Sequence, residues 1–175
     1  RVDEEDRLQV QRTWLMGQTT GQPALILAFA TGGQPLDVSL PPSAVLDADL
    51  AFFPGAIPLR ALVKERRTLT SIDAVTSGSP TLAALFTAYG SAVSVNPWLE
   101  SYPAILQETI VAPCGDRWVI TDRDGAMAPV SPRCGWGWPL LAISGGHPCA
   151  IMGEWDGDEF LPLSCWAEGR MTSFA

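Results

Sequence analysis

Apolar and polar positions along the chain alternate in short runs broken by glycine and proline, the pattern of many short antiparallel strands. The densest part is Leu140–Ser164. There, three apolar runs are separated by two turn signals, Gly145-Gly146 and Asp156-Gly157, and the pattern predicts a three-stranded meander with tight hairpin turns. In its middle run Cys149, Ile151 and Trp155 share one parity, and Ala150, Met152 and Glu154 the other. Upstream, Arg12–Met16 is a short β-type run, and Ala24–Ala30 is apolar on both parities, as in a strand buried on both faces or central in a sheet. Gln34–Leu40 reads as a further run. Ala44–Phe53 alternates, with Leu46, Ala48, Leu50 and Phe52 facing a core and Asp47 and Asp49 facing solvent. Leu59–Val63 is another strand, and 68–78 reads as loop.

One segment has the helical period instead. Ser79-Pro80 is a cap followed by a first-turn proline, and Leu82, Leu85, Phe86 and Tyr89 follow as an apolar stripe. Gly90 weakens this helix or ends it early. Asn96-Pro97 repeats the start signal, which predicts a short second helix at Trp98–Tyr102. Strand character returns over Ile105–Val111. Gly115–Ser131 and Gly146–Ser164 can be laid over one another as a hairpin used twice, and Gly21–Leu40 is a looser echo. The fold class expected is mainly β (α+β): two antiparallel β units of hairpins and meanders sharing a core, with a helical insert around 80–102. The boundaries are a charged linker or helix end at 1–11, a β unit at 12–67, the insert at 79–102 and a second β unit at 103–175, or one compact domain overall.

Composition narrows the function classes. Of 175 residues 47% are apolar and 17% charged, so a packed core is expected. A net charge of −8 with eleven Lys and Arg disfavours direct binding to nucleic acid or an anionic membrane, because such affinity rests on basic side chains at phosphates. No run reaches the length of a membrane span and no signal peptide opens the chain. The expectation is a cytoplasmic protein with a protein partner and no membrane association.

Candidate chemistry is sparse. His147 is the only histidine, which leaves no triad, and the four cysteines show no close-spaced pair. A zinc site from Cys134, Cys149, Cys165 and His147 lacks the usual spacing, so no metal or other cofactor is expected in this chain, and the cysteines read as small buried hydrophobes. Asp122-Arg123-Asp124-Gly125 and Glu154–Glu159 resemble pieces of calcium loops without the full ligand set, and turn chemistry explains both. Glu154 and Asp156, two apart in a strand, could form a carboxylate pair beside Trp155; as solvated turn acids they need no such role. Cys134-Gly-Trp-Gly-Trp-Pro139 holds Trp136 and Trp138 between glycines and a proline, either as an exposed aromatic platform or as a plug under the sheet. The candidate binding residues are therefore Trp136, Trp138, His147, Glu154, Trp155 and Asp156, with no catalytic residue assigned.

Three blocks in fixed order, Ala48–Leu62, Asn96–Glu100, and Leu141–His147 with Gly153–Gly157 and Pro162-Leu163, resemble the C-terminal region of bacterial SWIM zinc-finger proteins. The zinc element of that family, Cys-x-Cys followed by Cys-x-His, occurs nowhere in this sequence, so its metal site carries over to no residue here. The resemblance implies a zinc site outside the chain and an interaction role, since the family's finger is associated with DNA or protein contacts. The function expected is a non-catalytic interaction or scaffold domain. The alternatives are a carboxylate hydrolase using Glu154 and Asp156, and a small-ligand domain with a tryptophan-lined site.

Overall fold

The computed structural model describes residues 1–5, 8–31, 40–71 and 78–174, and they form a mainly β protein with two helices. The chain divides into two compact units, 1–73 and 74–174. The helical insert thus belongs with the C-terminal strands.

In the first unit, β1 (Val2–Glu5), β2 (Leu8–Met16) and β3 (Pro23–Thr31) form an antiparallel sheet in that order. The opening residues are therefore strand, not linker or helix end. Charge does not prevent this, because Asp3 is held between Arg1 (3.0 Å) and Arg12 (2.9 Å). Burial alone would raise the Asp3 pKa, but the two guanidiniums outweigh it and hold the carboxyl below its ordinary value. β3 corrects a second expectation: it is the outer strand of this sheet, and its free side meets the chain again at Leu25, whose N–H donates to the Leu59 carbonyl (2.7 Å). β4 (Ala44–Phe52) and β5 (Ala61–Ser71) form an antiparallel ribbon, so 68–71 continues a strand where a loop was expected. Asp47 and Asp49 do face solvent, where Arg67 bridges both (3.1 and 2.6 Å). The run at 34–39 lies outside the described residues.

The second unit is a six-stranded antiparallel sheet in the order β11-β10-β9-β6-β7-β8. Its strands are β6 (Tyr102–Cys114), β7 (Arg117–Thr121), β8 (Met127–Pro129), β9 (Cys149–Trp155), β10 (Phe160–Ala167) and β11 (Arg170–Ser173). Just past β8, Val130 bridges Phe160 in parallel and the Ser131 N–H donates to the Phe160 carbonyl (2.8 Å). That contact joins β8 to β10 and turns β6–β10 into a partly open five-stranded barrel, the Greek-key architecture of the OB type. The long β6 serves both sides, pairing with β9 through its first half and with β7 through its second.

Two bulges keep apolar side chains inside. Phe160 and Cys165 are an odd number of residues apart and would face opposite ways in a regular strand. A register shift between Pro162 and Ser164 puts both on the core face with Ile151 and Trp155. A second shift, between Leu106 and Thr109, does the same for Leu106 and Val111. The buried cluster also takes in Leu82, Leu85, Ile120 and Leu140.

Helix α1 (Leu82–Val95) runs through Gly90 and ends at Asn96. Its cap is Thr81, whose Oγ1 accepts the Ala84 N–H (3.2 Å), and not Ser79. Ser79 instead bridges Leu106, donating its N–H to the Ile105 carbonyl (2.7 Å). The short helix expected at 98–102 is absent. Asn96 Oδ1 accepts the Trp98 N–H (3.3 Å) in a side-chain-closed turn, and β6 begins at Tyr102.

Helix α2 (Gly137–Ser144) replaces the first strand of the expected meander. A four-residue apolar run, Leu140–Ile143, has no period long enough to separate strand from helix, and Leu and Ala favour the helix, which starts at Gly137, takes Pro139 in its first turn and ends at Gly145 (φ 59°) in the left-handed region. The Asp156-Gly157 turn is also wider than a two-residue hairpin: Trp155 pairs with Phe160 across four residues. Asp156 Oδ1 closes it by accepting the N–H groups of Asp158 (3.0 Å) and Glu159 (2.8 Å). The two-residue turns lie at Gly115-Asp116 and at Glu168-Gly169, where both φ angles are positive. The two segments read as one hairpin used twice do both fold as antiparallel hairpins, and each is closed by an aspartate: Asp122 Oδ1 accepts the N–H groups of Asp124 (3.0 Å) and Ala126 (2.9 Å).

Candidate functional site

The entry to α2 builds the most distinctive surface of the second unit. The Cys134 N–H donates to the Ser131 carbonyl (2.8 Å), and this turn delivers the chain into Trp136, the residue that opens the helix. Gly137 is buried flat against the indole of Trp118, and a Cβ there would overlap the ring at 2.5 Å from Nε1. The missing side chain lets the helix approach that closely and fixes where its neighbours point. Leu140, fully buried, joins the core cluster.

The tryptophans on either side of Gly137 do not plug the sheet. Trp138 is 67% exposed and Trp136 46%. Each is nevertheless braced: Trp138 meets Trp118 edge to face (centroids 5.0 Å, 88°), and Trp136 lies over Phe174 (5.9 Å, 30°). The result is a pair of exposed, preorganised indoles. The signal for Trp118 and Phe174 as supports was present only as the glycine between the two tryptophans.

The other candidates separate. Trp155 is in the core, its ring tilted against that of Phe86 (centroids 4.9 Å, 41°). Glu154, expected as a solvated acid, is 3% exposed inside β9, between Leu161 and Pro103 of the neighbouring strands, and it is engaged within the protein. Asp156 stands in the turn with Oδ1 occupied by backbone and Oδ2 3.9 Å from Arg133. Glu154 and Asp156 thus sit in different surroundings, one in the sheet and one in a closed turn. His147 is exposed after α2, and its backbone N–H donates to the Ser144 carbonyl (2.9 Å).

All four cysteines are free thiols; Cys149 and Cys165 are buried in the core, Cys134 is half-buried and Cys114 exposed. Burial, with Cys165 nearby, pushes the Cys149 thiol up to about 12, so at neutral pH it is a protonated hydrophobe and not a nucleophile. Among the described residues no three His, Cys, Asp or Glu side chains gather as a metal-ligand set, and no helix is long and apolar enough to cross a membrane.

No protein-family model, curated protein or solved structure matches the chain. Its own geometry is what bears on function.

Proposed function

We propose that the chain is a non-catalytic interaction module that binds a protein partner through the Trp136–Trp138 face. The observation that carries this is the exposure of two large indoles held in place by other aromatic rings. Aromatic anchors of this kind dominate protein interfaces, because they bring much apolar area at little cost in side-chain freedom. Charge supports a protein partner over a nucleic acid: residues 74–174 hold four arginines and no lysine against ten carboxylates. The hydrolase alternative gains nothing from a carboxylate buried in a strand and another closed into a turn. In keeping with the sequence blocks it resembles, the module belongs to a cytoplasmic bacterial protein of the SWIM zinc-finger type, whose metal lies outside this chain.

The test is a Trp136→Ala/Trp138→Ala double variant, used beside the wild type to capture partners from lysate of the native cell. The reading requires a protein retained by the wild type and lost by the folded variant. Equal retention by both would remove the tryptophan face from the account.

A further inference from the structure

The charge around the tryptophan face narrows what it can hold. Trp136 lies over Phe174, whose N–H donates to the Leu163 carbonyl of β10 (2.8 Å). Three residues back along the same strand, the Phe160 carbonyl accepts the N–H of Ser131, from the turn that delivers the chain into Trp136. The face and the β9–β10 turn, 156–159, are therefore tied to one stretch of β10 about 10 Å long.

That turn carries the carboxylates of Asp156, Asp158 and Glu159. Asp156 is engaged: its Oδ1 accepts two backbone N–H groups and its Oδ2 stands 3.9 Å from Arg133. Asp158 and Glu159 contribute only their backbone to the turn, and among the described residues neither carboxylate has a partner. Two uncompensated negative charges thus stand at the edge of the aromatic face. The rings have the same preference, because the electron-rich face of an indole attracts cations, more strongly than that of tyrosine or phenylalanine. Among the described residues no guanidinium of the chain lies over Trp136 or Trp138, so both rings keep that capacity.

We propose that the tryptophan face takes an arginine-containing segment of its protein partner, with guanidinium groups stacked on Trp136 or Trp138 and their charge balanced by Asp158 and Glu159. This rests on the reading of the face as a protein contact and adds the chemistry of what it holds. A purely apolar segment would use the indoles and leave the carboxylates without a role. An acidic segment would be repelled by a unit with ten carboxylates and four arginines. Arginine suits the face better than lysine, since its guanidinium is planar, gives up water more readily, and can stack on a ring while donating to a carboxylate.

The experiment follows the indole N–H resonances of Trp136 and Trp138 in the whole chain while peptides of one length are added. The probe is an acetylated, amidated peptide of alternating arginine and glycine. In its two controls every arginine is replaced by citrulline, a neutral isostere, or by leucine. The arginine peptide should shift both resonances saturably, with the controls binding roughly tenfold more weakly, and added salt should weaken the arginine peptide alone. Asp158→Asn/Glu159→Gln, a change at turn side chains outside the core, should weaken the arginine peptide several-fold while the spectrum stays that of the folded protein. The proposal is overturned by unmoved resonances, by a citrulline or leucine peptide that binds as tightly, or by unchanged affinity in Asp158→Asn/Glu159→Gln. Lysate capture with Trp136→Ala/Trp138→Ala does not depend on the charge of a peptide. A partner lost there, with no preference for arginine here, refutes this inference alone, whereas equal capture by both proteins refutes the reading beneath it.

Discussion

Asp122 shows how much a single side chain can organise. Its Oδ2 accepts the Leu82 N–H (2.8 Å) at the start of α1, while its Oδ1 closes the β7–β8 turn. One buried carboxylate therefore fastens the helix to the barrel and satisfies donors that would otherwise lack partners. Burial acts to raise its pKa, but the three backbone N–H groups and the charge of Arg123 outweigh it and leave the group below its ordinary value of 3.8. Because the folded pKa is the lower one, this contribution is fully present above the ordinary carboxylate range and is lost as pH falls through the folded value. Asp122→Asn should lower stability by roughly 1.5–3 kcal/mol at neutral pH, the range for hydrogen bonds to a charged group. Denaturant curves recorded from pH 7 down to the acid range should also show a shallower acid limb in the variant; identical limbs would place the proton-linked stability elsewhere. Core and turn positions give a contrasting pair. Trp155→Ala removes a buried indole and its contact with Phe86, at about 3–5 kcal/mol. Gly157→Ala puts a side chain at φ 105° and brings its Cβ to 2.8 Å from the Tyr89 hydroxyl, which itself donates to the Asp156 carbonyl, so it should cost more than about 1 kcal/mol. Melting curves that ranked the two in reverse order would contradict this packing.

At the scale of elements, α1 is the cleanest test of local propensity. Gly90 lies inside the helix with nothing within 4 Å of where a Cβ would be. Gly90→Ala should therefore stabilise the protein by about 0.5–1 kcal/mol, read as a higher denaturation midpoint at unchanged slope. A loss of stability would mean that the glycine serves a close contact. The body of this helix was legible because its stripe, Leu82 to Tyr89, spans two turns. Its start was misassigned because Ser79-Pro80 and Thr81 are equally good caps on paper, and a bridge to β6 claims the first. α2 was illegible for the opposite reason: four apolar residues are too few to show a period. The bulges at Glu108 and Leu163 were invisible because register is a property of two strands and not of one. Of the candidate site, the paired tryptophans could be seen in sequence. Their exposure could not, since it depends on Gly137 and Leu140 being the α2 residues that turn inward, Gly137 against Trp118 and Leu140 into the core. Glu154 was misjudged because a carboxylate beside an Asp-Gly turn resembles a loop residue, yet β9 holds it one position inside the sheet.

At the scale of the molecule, the barrel of residues 102–167 shares its core with Leu82 and Leu85 of α1, and it carries a surface that its packing does not require, the braced tryptophan face. Burial raises both core thiols, Cys149 and Cys165, and keeps them protonated at neutral pH. One paired measurement decides the role of the tryptophan face: the melting temperature and the partner capture of Trp136→Ala/Trp138→Ala against the wild type. Because both indoles are largely outside the core, the expected result is a melting temperature within a few degrees of the wild type and a partner band that disappears. A variant that unfolds, or one that stays folded and still retains the partner, would contradict it.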